Sequence, residues 1–292
     1  MVMTVELLVD AQAALGEGPC WNEKEQKLYW VNILGKSIHR YDPETDKQEA
    51  MDVGQMVGAI APCKDGRVVL AMQDGFFMCD WETQSLEAFG DPESHLPDNR
   101  FNDGKCDPAG RFWAGTMRLK EDARGHGALY CLEPSLDIKK KLDNIGTSNG
   151  IAWSPDAKKM YYIDTPTQQV VAYDYDIHTG AITNGEAIIT IARGAGFPDG
   201  MTIDAEGNLW IAHWGGSGIS HWNPQTGKQL DFIDVPALNV TSCVFGGPDL
   251  KTLYITSART GTSAADLKQF PHAGGVFTLE ADVKGSPTYT FG

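Results

Sequence analysis

The sequence predicts an all-β fold, a six-bladed β-propeller with four antiparallel strands per blade and a ring closed by an N-terminal strand. Three observations carry this expectation. A tight polar turn followed by an apolar-aromatic run recurs six times, as NEKEQKLYWVN, PCKDGRVVLAM, CDPAGRFWAGT, SPDAKKMYYID, IDAEGNLWIAH and GPDLKTLYITS. The core positions of these runs, Tyr29, Val69, Trp113, Tyr161, Trp210 and Tyr254, are separated by 40, 44, 48, 49 and 44 residues, a mean of 45, which is a propeller period. No long helical period or linker interrupts the series, so residues 1–292 read as one domain.

Each blade has its own chemistry. In the first, GEGPCWN turns through EKEQ into KLYWVN, and SIHRYDPETDKQEAMDV supplies two further strands. The second pairs VGAIAP with VVLAM through Asp65-Gly66, and the third pairs FNDGKC with RFWAGTM through Ala109-Gly110, turn residues that tolerate positive φ. In the fourth, SNGIAW and KMYYID are followed by QVVAYDYDIHTGAITNGEAII, again two strands. The fifth carries PDGMTI and NLWIAH around Glu206-Gly207, and the sixth TSCVFG and TLYITS. Trp, Tyr, Val and Ile dominate every second strand, as a pleated, half-buried surface requires. The short TVELLVD segment is then free to pair with the last blade. Tyr29, Trp113, Trp210 and Tyr254 hold equivalent repeat positions and are expected to pack between blades.

Composition narrows the function. The chain has 24 Lys and Arg against 39 Asp and Glu, a net charge of -15, which opposes nucleic acid and anionic lipid and suits cations or neutral small molecules. No apolar run reaches the roughly 18 to 20 residues of a membrane span. MVMTVELLVDAQAAL lacks the basic start of a signal peptide, so a cytoplasmic protein, monomeric or weakly homo-oligomeric, is expected. The six cysteines, without C-x-x-C spacing, read as free buried thiols, and the Asn239-Val240-Thr241 sequon as chance.

Propeller ligands bind where the innermost strands begin. Aligned backwards from their turns, the six copies place Glu17, Gly58, Asn102, Asn149, Asp199 and Ser242 there, 12, 11, 11, 12, 11 and 12 residues before the core positions. Glu17, Asn149 and Asp199 are oxygen donors that converge on the axis, a set suited to one divalent cation. Calcium, zinc, manganese and magnesium all stay open. The competing reading is that these residues cap strands and bind channel water. The nearest EF-hand candidate, at Asp174, lacks the glycine and the glutamate of that loop. His126 and His213 lie near the mouth but lack metal-ligand spacing and are not expected to be ligands.

GTSNG at 146–150 matches G-x-S-x-G, yet a strand, a polar turn and another strand follow it where a nucleophile elbow needs a helix. Ser148 is therefore expected not to be a nucleophile, and Asn149 to be the residue that matters.

GEGPCW, NRFNDGKCDPAGRFWAGTM, SNGIAW, PDGMTIDAEGNLWIA, SCVFGGPDLKTLYITSAR and AGGVF are similar to segments of the regucalcin (senescence marker protein) and gluconolactonase family, in the same order and over essentially the whole chain. The resemblance implies a six-bladed propeller that binds one divalent cation and hydrolyses sugar lactones. It places metal ligands on Glu17, Asn149 and Asp199 and substrate contacts on Arg100 and Asn102. The regucalcin branch has a lid glutamate three residues after the Met of GTM. Here Lys120 stands there with Glu121 next, so either Glu121 substitutes or the substrate differs. The implied reaction uses the metal as Lewis acid and Asp199 as general base, or as ligand alone. Two other readings share the site: a non-catalytic calcium-binding or regulatory propeller, and hydrolysis of another ester or an organophosphate. Specificity is expected from the loops at 32–36, 73–75, 118–127, 164–168, 214–218 and 259–262.

Overall fold

A computed structural model describes residues 4–120 and 125–292. Its strands form six four-stranded antiparallel sheets. Five of the sheets run in simple chain order: blade 1 from Gly16–Asn22 to Lys47–Asp52, blade 2 from Val57–Pro62 to Ser85–Gly90, and blade 3 from Asn99–Cys106 to Ile138–Ile145. Blade 4 runs from Ser148–Trp153 to Ala181–Thr190 and blade 5 from Phe197–Ile203 to Lys228–Asp234. The sixth combines Asn239–Gly246, Thr252–Ala258 and Val276–Glu280 with the N-terminal strand Glu6–Val9, which pairs Glu6 with Thr278 and Val9 with Val276. The innermost strands touch in succession and the last meets the first, so the six-bladed ring closes as expected.

The core is divided rather than central. Six apolar clusters each join two adjacent blades. The repeated aromatics supply much of their bulk: Trp21 stacks on Tyr254 at 5.5 Å, Trp113 meets Trp153 at 6.0 Å, and Trp210 meets Phe245 at 5.5 Å. These contacts cross blade boundaries, which is the packing role expected of those positions. Two of these four indoles, Trp113 and Trp210, also find a partner for Nε1 within the repeat. Asp107 accepts from the backbone N–H groups of Ala109 and Arg111 and from Trp113 Nε1, and Asp204 does the same for Glu206, Asn208 and Trp210 Nε1. In blades 3 and 5 the polar turn and the aromatic strand after it are thus one hydrogen-bonded unit.

The tail beyond the last strand crosses the turn end of the channel. Ser286 Oγ donates to the Asp204 carbonyl, Thr288 N–H to Glu23, Phe291 N–H to the Pro62 carbonyl and Gly292 N–H to the Gly110 carbonyl. Beneath it lies a cavity of about 40 Å³ beside Lys105 and Cys20, room for a few waters at most. The space for a ligand lies at the opposite end. All six cysteines are free and buried. Among the described residues no helix is long and apolar enough to cross a membrane.

Candidate active site

Every innermost strand breaks register at its head, with irregularities between Glu17 and Cys20, Val57 and Ala59, Phe101 and Asp103, Ser148 and Ile151, Pro198 and Met201, and Val240 and Ser242. A bulge re-aims the side chains beside it, and here it does so at one height in all six blades. Glycine follows the functional side chain in three of them. A Cβ on Gly150 would stand 2.6 Å from Met201 Cβ and 2.9 Å from the Asp199 carbonyl oxygen, so only glycine lets blades 4 and 5 approach this closely. The pairs Glu17-Gly18, Asn149-Gly150 and Asp199-Gly200 are the sequence trace of this device.

The heads open into a cavity of about 300 Å³. Glu17, Asn102, Asn149 and Asp199 line it from blades 1, 3, 4 and 5, together with Arg100, and all five are buried. Leu15, Met117, Phe197 and Trp214 form its apolar wall, with Thr147 and Thr165 between. Sequence reasoning missed Leu15, Thr147 and Phe197, which each lie two residues before a head, whereas Thr165 falls in the expected specificity loop at 164–168. Phe197 is half exposed at 49%, a cue that needs coordinates.

Two heads contribute nothing to this lining. Gly58 has no side chain, and in blade 6 the alignment needs correcting by one residue. Val244 pairs with Tyr254 as Cys20 pairs with Tyr29, so Thr241 rather than Ser242 is the counterpart of Glu17. The turn there is one residue longer than in blade 1. Thr241 Oγ1 bonds the Gly16 carbonyl and Thr256, closing the ring rather than facing a ligand.

A chain of hydrogen bonds orders the polar groups. Arg100 Nη1 donates to Asn102 Oδ1 at 2.8 Å and to the Phe101 carbonyl at 2.9 Å. Asn102 Nδ2 donates to the Ser148 carbonyl at 2.7 Å and to Asn149 Oδ1 at 3.2 Å. Glu17 accepts from the Gly18 N–H at 2.9 Å. Arg100 Nε is buried without a hydrogen-bond partner, a costly state in a structure where most buried donors are paired.

Glu17 and Asp199 are enclosed together. Burial, reinforced by the nearby Asp103 carboxylate, pushes the Glu17 carboxyl up to about 8. Burial and then the Glu17 charge hold Asp199 well above the ordinary carboxylate range. Two carboxyls so placed cannot both ionise without a compensating cation nearby. Arg100 offsets them only in part, and burial lowers its own pKa to about 10. Two adjoining carboxyls and a carboxamide oxygen are a hard, all-oxygen donor set, so the residues fit a divalent cation. Among the described residues no three His, Cys, Asp or Glu side chains cluster as a metal-holding group, so the carboxamide of Asn149 would have to be part of the set.

The remaining candidates fall elsewhere. His213 spends both ring nitrogens on the Ala195 carbonyl and Ser220 Oγ, and burial lowers its pKa. The His126 ring contacts Arg118. Lys120 is tied to Asp98 at 2.6 Å, and Glu121 lies outside the described residues. Among the described residues of the six specificity loops, Thr165 and Trp214 reach the cavity lining. Asn239, the sequon residue, is buried with its amide bound to the Thr260 carbonyl.

Ser148 is fully buried and its Oγ accepts from Tyr162 at 2.8 Å. Without access to the cavity it cannot attack a substrate. Ser148→Ala is expected to keep kcat within about threefold and to cost about 1 kcal/mol of stability through the unpaired Tyr162 hydroxyl. A loss of activity beyond a hundredfold in a folded variant would restore the serine mechanism.

The family model described as "SMP-30/Gluconolactonase/LRE-like region" matches residues 15–259. The chain is 41% identical to the "Putative sugar lactone lactonase YvrE" of Bacillus subtilis over 283 residues, 97% of each chain. It is likewise 41% identical to "Regucalcin" of Xenopus laevis over 290 residues, again 97% of each. The solved structure of a calcium-binding protein, regucalcin, from Agrobacterium tumefaciens superposes with a TM-score of 0.94 at 30% identity, covering 99% of this chain and 98% of that one. The chain therefore belongs to the SMP-30/gluconolactonase/LRE-like family.

Proposed function

We propose that this protein is a divalent-cation-dependent lactonase that opens a sugar lactone to its aldonic acid. The observation that carries the reading is the enclosure of Glu17 and Asp199 with Asn149 at the floor of a 300 Å³ cavity beside a buried arginine with a spare donor. Sugar-lactone hydrolysis is named for the Bacillus relative, and calcium binding for the Agrobacterium one.

In this reading Glu17, Asn149 and Asp199 would hold the cation, which would supply Lewis-acid polarisation of an ester carbonyl. Arg100 lines the cavity and stays protonated at neutral pH despite burial, so its guanidinium sets a positive charge beside the substrate oxygens. Asn102 fixes the Arg100 guanidinium from the other side, which orients the substrate. Asp199 accepts the proton of the attacking water at a carboxylate oxygen and returns it to the ring oxygen as that oxygen leaves. Leu15, Met117, Phe197 and Trp214 exclude bulk water and stack on the C–H face of the ring.

The test is proton release from D-glucono-1,5-lactone and a panel of five-carbon lactones, with and without EDTA, followed by addition of calcium, zinc, manganese or magnesium. Hydrolysis lost with EDTA and restored by at least one ion is the expected result. Full activity in EDTA would overturn it, and tight cation binding with no hydrolysis across the panel would point to a regulatory propeller instead.

A further inference from the structure

The hydrogen-bond chain that starts at Arg100 ends on a residue without a role so far. Asn149 Nδ2 donates to Thr165 Oγ1 at 2.8 Å, and Thr165 Oγ1 donates to the Pro198 carbonyl at 2.8 Å. The direction of every bond in the chain is forced by its ends. A guanidinium only donates, so the atom of Asn102 facing Arg100 is its oxygen. A backbone carbonyl only accepts, so the single proton of Thr165 goes to Pro198 and its lone pair faces the nitrogen of Asn149. Asn149 therefore keeps its oxygen for the opposite side, where one lone pair takes the Asn102 bond and the other is left for the cavity.

Thr165 also spans two blades. It opens the short 3-10 turn Thr165–Thr167 after the second strand of blade 4, and its backbone N–H bonds the Thr147 carbonyl at 3.1 Å. The Asp164 carboxylate beside it takes the backbone N–H groups of Gly146 and Thr147. The hydroxyl so anchored joins the side chain of Asn149 in blade 4 to the carbonyl directly before Asp199 in blade 5.

We propose that Thr165 is a positioning residue for the cation, whose hydroxyl fixes both which atom of the Asn149 carboxamide faces the cavity and the spacing of Asn149 from Asp199. This rests on the cation reading above. Outer partners of metal ligands carry about 10- to 100-fold in affinity. Valine keeps the shape of threonine and removes the hydroxyl, leaving only the longer Asn102 bond, at 3.2 Å, to distinguish the two ends of the carboxamide.

The experiment is calorimetric titration of the EDTA-stripped full chain with Ca²⁺ and with Mn²⁺, for the parent, Thr165→Val and Thr165→Ser. Thr165→Val is expected to bind 10- to 100-fold more weakly and Thr165→Ser within about threefold of the parent. Unfolding midpoints of the stripped proteins should agree within a few degrees, and Thr165→Ala gives the same comparison if the valine variant does not fold. Binding by Thr165→Val within twofold of the parent overturns the proposal. So does a Thr165→Ser as weak as Thr165→Val, which would assign the effect to packing of the methyl group. A parent that takes up neither ion overturns the cation reading itself, and this proposal with it.

Discussion

Asp199→Asn is expected to lower kcat/KM for lactone hydrolysis by about three orders of magnitude while leaving the cation-free fold as stable as the parent or more so. The two effects have one cause. In the proposed mechanism Asp199 both holds the cation and takes a proton in the transition state, and each of these tasks carries about 10²- to 10⁴-fold on removal. Yet in the free protein the same carboxyl is a liability, because it is buried next to Glu17 and its pKa is held far above the ordinary value. Asparagine keeps the volume and removes the charge, so the cost of enclosing two carboxyls disappears with the function, the usual exchange of stability for activity at a strained site. The measurements are initial rates with saturating cation, and thermal unfolding in EDTA at pH 8. A variant with rates within tenfold of the parent would remove Asp199 from the chemistry. A variant that is inactive but also several degrees less stable in EDTA would make Asp199 a structural residue.

The division between what the sequence showed and what it hid follows the chemistry of repetition. The blades were legible because each must bury its own face against the next, so the aromatic of the second strand recurs every 45 residues or so. In blades 3 and 5 the bond from Trp113 Nε1 to Asp107, and its counterpart from Trp210 Nε1 to Asp204, ties the turn to that aromatic. The polar heads Glu17, Asn102, Asn149 and Asp199 were legible for the same reason, since they share the register of a repeated strand. Blade 6 shows the limit of counting. One extra turn residue moved the head from Ser242 to Thr241, which only the strand pairing reveals. Leu15, Thr147 and Phe197 share a register, two residues before Glu17, Asn149 and Asp199, but the residue type there changes from blade to blade, so no recurring side chain marks it. Thr165 sits in a connection where only the loop was legible. The tail that seals the far end of the channel left no signal either, for its bonds run through backbone groups that any sequence carries.

The cation should also set the stability of the whole ring, in a pH-dependent way. A carboxyl whose pKa is raised by folding binds its proton more tightly in the native state than in the unfolded one. Its contribution to stability is then present in full below the unfolded value, 4.5 for Glu17, and is lost as pH rises towards the folded value of about 8. Asp199 adds a shift in the same direction. In EDTA the unfolding midpoint is therefore expected to fall as pH rises from 5.5 to 8. A cation reverses this trend, because it binds the ionised pair and must displace whatever proton the pair holds, so its affinity grows over the same interval. At a concentration one hundred times its Kd the ion adds about 2.7 kcal/mol, which corresponds to roughly 4 °C in a chain of this size. The expected pattern is a lift of that order at pH 8 and less than half of it at pH 5.5 at the same ion concentration. Asp199→Asn should show a shallower decline in EDTA, the part due to Glu17 alone, and no lift. An unfolding midpoint that is indifferent to EDTA at both pH values would mean that Glu17 and Asp199 meet their charge by holding a proton alone, and that no cation belongs between the blades.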